Sequence, residues 1–165
     1  MREQLTQKDV ERIEKEIEHR KLVVRKEAIE AVKEARAHGD LSENFEYYAA
    51  KQAKNQNESR IRYLENMIRT AEIIEDNSRA DEVGLNKRVV VDFGDGDTEE
   101  YKIVTPVRAN SLEGRITFES PLGAALMGRK AGDVCTVRNG DASYTVKILS
   151  VENTGEEETD VIRRY

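Results

Sequence analysis

The chain has 165 residues, 27 of them basic and 33 acidic, with no Trp and a formal net charge of −6. That charge excludes a protein coated in nucleic acid, which shows a basic face and a high pI, though it leaves room for a local basic strip. No run approaches the roughly 18 apolar residues of a membrane span, and the opening residues MREQLTQKDVERIEKEIEHR have no apolar core of signal type. With one cysteine, Cys135, no disulfide can form within the chain. The expectation is a soluble, cytoplasmic protein, monomeric and without membrane contact.

The chain changes character near residues 76–84. Residues 8–75 hold no proline and only Gly39, whereas residues 84–155 hold the other nine glycines and both prolines. A long segment with one breaker near its middle predicts two helices joined by a short turn. The first carries Val10, Ile13, Ile17, Val24, Ala28, Val32 and Ala35, with spacings mostly of three, four or seven. The second carries Ile61, Leu64, Ile68 and Ala71 and is polar in its middle, from Lys51 to Asn57, where Ala49, Ala50 and Ala53 would let the helices approach. One narrow seam per helix suits an antiparallel coiled coil. Thirty residues of helix reach about 45 Å, and so thin a hairpin must project into solvent or a partner.

The second half has strand grammar. Runs at 88–93, 100–104, 114–118, 133–138 and 142–149 are rich in Val, Ile, Thr and aromatics, and Asn139-Gly140 signals a tight hairpin. Pro121 followed by Leu122, Ala124, Ala125 and Leu126 predicts a short helix with proline in its first turn. The fold class is therefore α+β. A coiled-coil hairpin over 1–76, with an acidic tip near 38–46, is followed by a linker at 77–84 and a small antiparallel β domain over 85–153. Residues 154–165 read as a charged, disordered tail.

At the tip, Asp40-Leu41-Ser42-Glu43 admits two readings. Its spacing is that of a capping box, with Asp40 capping the return helix and Glu43 reaching back. The same two carboxylates are hard oxygen donors of the kind Mg²⁺ takes. Residues 51–69 hold Lys51, Lys54, Arg60, Arg62 and Arg69 against Glu58 and Glu65, five positive against two negative. That strip is either an ordinary solvated face or a contact for RNA or an acidic wall, with Lys51 and Lys54 nearest the tip. Phe45 and Tyr47 are read as tip packing or stacking residues. His38 reads as a turn residue, Gly39 as a positive-φ helix end and Cys135 as buried.

The run Glu34-Ala35-Arg36-Ala37-His38-Gly39-Asp40-Leu41-Ser42-Glu43-Asn44-Phe45-Glu46-Tyr47 closely resembles the tip signature of the Gre family of bacterial transcript cleavage factors, EAR-x-HGDL-x-EN-x-EY. Glu119-Ser120-Pro121-Leu122-Gly123-Ala124-Ala125-Leu126-Met127-Gly128 resembles that family's SPLG-x-ALLG segment, and Lys147 to Glu152 its end. The likeness runs from about Leu5 to Glu152. It departs where Asp9 and Val10 follow Leu5-Thr6 without the family's glycine, where Phe45 stands for a small residue, and in the acidic tail.

The resemblance implies a coiled coil that enters the secondary channel of bacterial RNA polymerase and a C-terminal domain, similar to FK506-binding proteins, that docks on the rim. It implies stimulation of the polymerase's own cleavage of backtracked 3′ RNA. Asp40 and Glu43 would be the donated carboxylates, sharing Mg²⁺ with the polymerase, and Glu46 would add negative field. Ser120, Pro121, Leu122 and Gly123 would form a docking segment. On this reading the chain is a cofactor donor and not an enzyme by itself. The alternatives are a Gre-fold inhibitor that plugs the channel without cleavage, a coiled-coil adaptor, and a prolyl isomerase.

Overall fold

The computed structural model describes residues 2–39, 44–154 and 162–163, and the chain divides into two units, 1–73 and 74–165.

The first unit opens with strand β1 (Gln4–Leu5) and helix α1 (Gln7–His19). Thr6 Oγ1 accepts from Asp9 N at 3.2 Å and Asp9 Oδ2 accepts from Thr6 N at 3.0 Å. This reciprocal box satisfies two helix-end donors, so Asp9, fully buried, has a local task where the resembled family often carries glycine. From Arg20 to Val24 the helix becomes a π-turn, in which Arg25 N–H donates to Arg20 O, five residues back. Helix α2 (Arg25–Ala37) continues it.

The π-turn has a cause in the seam. Val10, Ile13, Ile17, Arg20 and Val24 step by alternating three and four, and continued alternation would turn Glu27, Ala31 and Glu34 inward. Those three are exposed; Ala28 and Val32 are half-buried and Ala35 is buried. The sequence holds one residue more than a heptad allows, and a π-turn is the backbone form that absorbs one extra residue.

The return helix, α3 (Phe45–Thr70), keeps an unbroken alternation. Tyr47, Ala50, Lys54, Asn57, Ile61, Leu64 and Ile68 are all buried or half-buried, with Arg60 and Met67 flanking. Of the three alanines expected to allow close approach, only Ala50 lies on this seam; Ala49 and Ala53 are exposed. The apolar end of the unit is closed by Leu5, Ile13, Ile61 and Leu64, each at most 2% exposed. Each contributes about 2 kcal/mol by leaving water. Strand β2 (Glu72–Ile73) pairs in parallel with β1 there.

Further along, polar groups replace the apolar seam. Asn57 is 4% exposed. Its Oδ1 accepts from Arg20 Nη1 at 3.1 Å and its Nδ2 donates to Arg20 O at 3.2 Å, the carbonyl at the start of the π-turn. Glu16 Oε2 accepts from Arg20 Nε at 2.7 Å and from Arg60 Nε at 2.9 Å. Arg25 forks onto Glu58, Nε to Oε1 at 2.7 Å and Nη2 to Oε2 at 2.9 Å. A buried, paired Asn at a seam position fixes the register of two helices. Burial pushes the Glu16 carboxyl up, but hydrogen bonds from Arg60 and Arg20 and their charges outweigh it and hold its pKa below the ordinary value.

The second unit is a five-stranded sheet in the order β5-β4-β3-β7-β6, built from β3 (Lys87–Asp92), β4 (Thr98–Val104), β5 (Arg115–Thr117), β6 (Val134–Asn139) and β7 (Ala142–Asn153). Four strands run antiparallel as expected, but β5 pairs in parallel with β4. The connection between them, 105–114, is long enough for two 3₁₀ turns, Pro106–Arg108 and Ser111–Glu113, and so returns the chain to the same end of the sheet. Gly140 stands first in the two-residue turn between β6 and β7 with φ +65°, the conformation that favours Gly there. Helix α4 (Pro121–Leu126) packs on β5 and β6, over a core of Val89, Val91, Ile103, Leu126, Val137 and Ile148.

Two boundary expectations need correction. Residues 77–84 are built into the second unit: Val83 is fully buried and exchanges backbone hydrogen bonds with Gly128 and Arg129. The buried Lys87 Nζ donates to Ser78 Oγ and to the Arg79 and Glu82 carbonyls at 2.6–3.0 Å, which pins that loop. In the C-terminal segment, Ile162 is 6% exposed and Arg163 N–H donates to Val107 O at 2.7 Å, so these two residues are not free tail. The remainder of 155–165 lies outside the described residues.

Candidate functional site

The tip is built from the end of α2 and the start of α3. Helix α2 stops because His38 leaves helical geometry (φ −80°, ψ +4°) and Gly39 takes φ +121°. Nothing lies within 4 Å of a Cβ built on Gly39, so conformation, not crowding, favours glycine there. Helix α3 starts at Phe45 with Asn44 as its cap. Asn44 Oδ1 accepts from Tyr47 N at 3.1 Å and its Nδ2 donates to Ala35 O at 2.6 Å. One side chain thus serves an orphan donor of α3 and gives a second hydrogen bond to the Ala35 carbonyl, which also accepts from His38 N, and ties the two helix ends together.

Asp40, Leu41, Ser42 and Glu43, the chain between Gly39 and Asn44, lie outside the described residues. The capping reading of this run is nonetheless corrected, because the cap of α3 is Asn44 and not Asp40. Glu46 stands in the first turn of α3, where the helix dipole favours an acid, and its Oε2 lies 3.1 Å from His38 Nδ1. His38 is thus more than a turn residue: it links the two helices.

Phe45 is 85% exposed. Tyr47 is half-buried, edge-on to Tyr48 at 5.6 Å between ring centroids, with the Arg36 guanidinium 5.7 Å over its ring. Arg36 and, after it, Lys51 hold the Tyr47 phenol below its ordinary pKa. Tyr47 thus stands as tip packing, and Phe45 is presented outward. Lys51 is exposed and Lys54 is half-buried on the seam side. The basic strip is thinner than the sequence suggests, because Arg60 is buried against Glu16; Lys51, Arg62 and Arg69 are its exposed members.

In the second unit, Ser120 caps α4. Its Oγ accepts from Gly123 N at 3.1 Å and donates to Thr117 O at 2.7 Å. Leu122 packs against the core, and a Cβ on Gly123 would sit 2.0 Å from Thr117 O. These three residues close the domain, leaving Pro121 and Ala124 as the segment's exposed members. Cys135 is buried, and burial pushes its thiol pKa up.

Among the described residues no cluster of three metal-ligating side chains occurs, and no helix is long and apolar enough to cross a membrane. The oxygen donors in the tip sequence suit Mg²⁺ by type, but Glu46 is engaged by His38. Asp40 and Glu43, the other acids of the tip sequence, lie outside the described residues.

The chain thus has a unit of long paired helices followed by a β unit whose short helix α4 is capped by Ser120. Residues 3–73 match the N-terminal domain of transcription elongation factors of the GreA/GreB type, and residues 77–153 match the C-terminal GreA/GreB domain. The chain is 46% identical over 152 residues to the transcription elongation factor GreA of Streptococcus gordonii, a match that covers 91% of this chain and 95% of that protein. It is 45% identical, with the same coverage, to GreA of Streptococcus sanguinis. A solved structure of GreA factor homolog 1 from Thermus thermophilus matches 92% of this chain and 99% of its own, with 25% identity and a TM-score of 0.43. The chain belongs to the GreA/GreB family of transcription elongation factors.

Proposed function

We propose that the chain enters the secondary channel of bacterial RNA polymerase hairpin first and stimulates the enzyme's own cleavage of backtracked RNA. What supports the reading is the Asn44 clamp. It joins the C-terminal carbonyl of α2 to the N-terminal amide of α3, the two helix ends that flank Asp40-Leu41-Ser42-Glu43 in the sequence. Asp40 and Glu43 supply carboxylate oxygens to the polymerase centre. Asp40 and Glu43 would hold Mg²⁺ together with the polymerase's own donors, and the metal would supply charge stabilisation to phosphodiester cleavage. A tip carboxylate also accepts a hydrogen bond from the attacking water and orients it. Lys51, Arg62 and Arg69 meet the extruded RNA or an acidic channel wall. Pro121 presents the exposed part of the docking segment, with Ala124 beside it on α4.

The test uses stalled, backtracked polymerase complexes with end-labelled RNA and Mg²⁺. Wild-type protein is expected to release short 3′ fragments. Asp40→Asn and Glu43→Gln are expected to bind equally well and to lose at least tenfold in cleavage rate, equivalent to about 1.4 kcal/mol of transition-state stabilisation. A wild-type protein that binds and releases nothing would make it a channel-blocking factor and refute the proposal.

A further inference from the structure

The outer face of the first helix carries a feature that the tip chemistry does not use. Leu22 and Val23, inside the π-turn, are 65% and 39% exposed. Leu22, Val23 and Ala31 line an open groove of about 580 Å³. Leu22 and Ile17 line a second, of about 310 Å³, one turn nearer the N-terminus. Ala31 is outside the seam only because the π-turn shifts the phase of α2; an unbroken heptad would have turned it inward.

The frame of these grooves is acidic. Glu27, Glu30 and Glu34 line the larger, and Glu14 and Glu18 the smaller. Against these five carboxylates stand Lys26 and Lys21, a local charge of −3, and Lys21 Nζ lies 2.5 Å from Glu65 Oε1 on α3. The exposed cations Lys51, Arg62 and Arg69 sit on α3. The acidic excess belongs to the groove lining, since the first helix also exposes Lys15, Lys33 and Arg36 and α3 exposes Glu46 and Glu65. An acidic frame repels phosphate and attracts a basic protein surface. An apolar centre within a charged rim is the usual anatomy of a protein contact.

We propose that the strip Ile17–Leu22–Val23–Ala31 docks a polymerase element that presents an apolar side chain between Arg or Lys residues. This rests on the channel-entry reading above and adds to it the surface that holds the hairpin's side.

The experiment measures binding of dye-labelled full-length protein to core polymerase by anisotropy at two salt concentrations. The variants are Leu22→Asp and the double charge reversal Glu27→Lys/Glu30→Lys, each checked for helicity by far-UV circular dichroism. Both are expected to weaken binding roughly tenfold, the loss typical of a buried contact residue. The charge reversal is also expected to flatten the salt dependence. In an independent arm, a photo-crosslinking phenylalanine at position 22, which keeps the site apolar, is expected to capture the polymerase. Wild-type affinity for folded variants, or no crosslink from position 22 in a complex that still cleaves RNA, overturns the proposal and leaves the cleavage reading standing. Failure of the wild type to bind polymerase removes the cleavage reading itself. Self-association of the wild type that Leu22→Asp abolishes assigns the strip to a second copy and also overturns the proposal.

Discussion

Replacing Asn44 by Ala removes both halves of the tip clamp at once. The lost cap on Tyr47 N costs about 1 kcal/mol, and the lost hydrogen bond to the buried Ala35's carbonyl about 1 kcal/mol more. Together these amount to about 2 kcal/mol, a change of roughly 30-fold in the local opening equilibrium. The loss is confined to the tip, because Ile61, Leu64 and the Glu16 network lie several turns away. Amide hydrogen exchange resolves this: protection of Tyr47 N–H is expected to fall about 30-fold, while that of Leu64 stays as in wild type. Asn44→Asp keeps the acceptor but cannot donate to Ala35 O, and is expected to lie between the two. If Tyr47 keeps its wild-type protection in Asn44→Ala, the clamp does not hold the helix ends together and the reasoning about a rigid tip fails.

Asn57→Ala removes the hydrogen bonds to Arg20 Nη1 and Arg20 O and leaves the guanidinium on Glu16 alone; it is expected to destabilise the hairpin by about 1–3 kcal/mol, read from urea unfolding at 222 nm. Asn57→Leu continues the apolar seam, and should cost far less stability while loosening helix register, visible as broadened disulfide-trapping between paired cysteines on α1 and α3. Glu16 has a lowered folded pKa, so its contribution is full above the ordinary value of 4.5 and is lost as pH falls below it. Thermal melts from pH 7 to 3 should therefore steepen below that value in wild type, and less so in Glu16→Gln. Gly123→Ala drives a methyl into Thr117 O and is expected to cost the β unit about 1–3 kcal/mol, followed by tyrosine fluorescence.

The two-helix hairpin, the β strands and α4 were legible in the sequence because each follows a local rule: a 3-4 seam, period-two alternation, or Pro at the first turn. The π-turn was not read, although its signal was present. The seam steps by four twice running at Val24, Ala28 and Val32, one residue more than a heptad permits. Asn57 fell in a run described only as polar, and its burial follows from its place on the α3 seam between Lys54 and Ile61. Capping-box spacing offers Asp40 as one possible cap; Asn44 is set apart by bonding to both helices, a tertiary fact that spacing cannot carry. The parallel β4–β5 pair escaped because a crossover of ten residues has no local signature. The burial of Lys87 has no local signal, because it comes from the Arg79 and Glu82 carbonyls that fold over its Nζ.

The central claim is that Asp40 and Glu43 lend metal-binding oxygens to a polymerase. The most direct measurement is the rate of RNA cleavage in backtracked complexes as a function of Mg²⁺ concentration, with saturating wild-type, Asp40→Asn or Glu43→Gln protein. The account predicts that wild-type protein lowers the Mg²⁺ needed for half-maximal cleavage and that either amide variant raises it again, at unchanged affinity for polymerase. A Mg²⁺ midpoint that is the same for wild type and both variants would contradict it, and would place the chain's effect in binding or channel occlusion instead of metal donation.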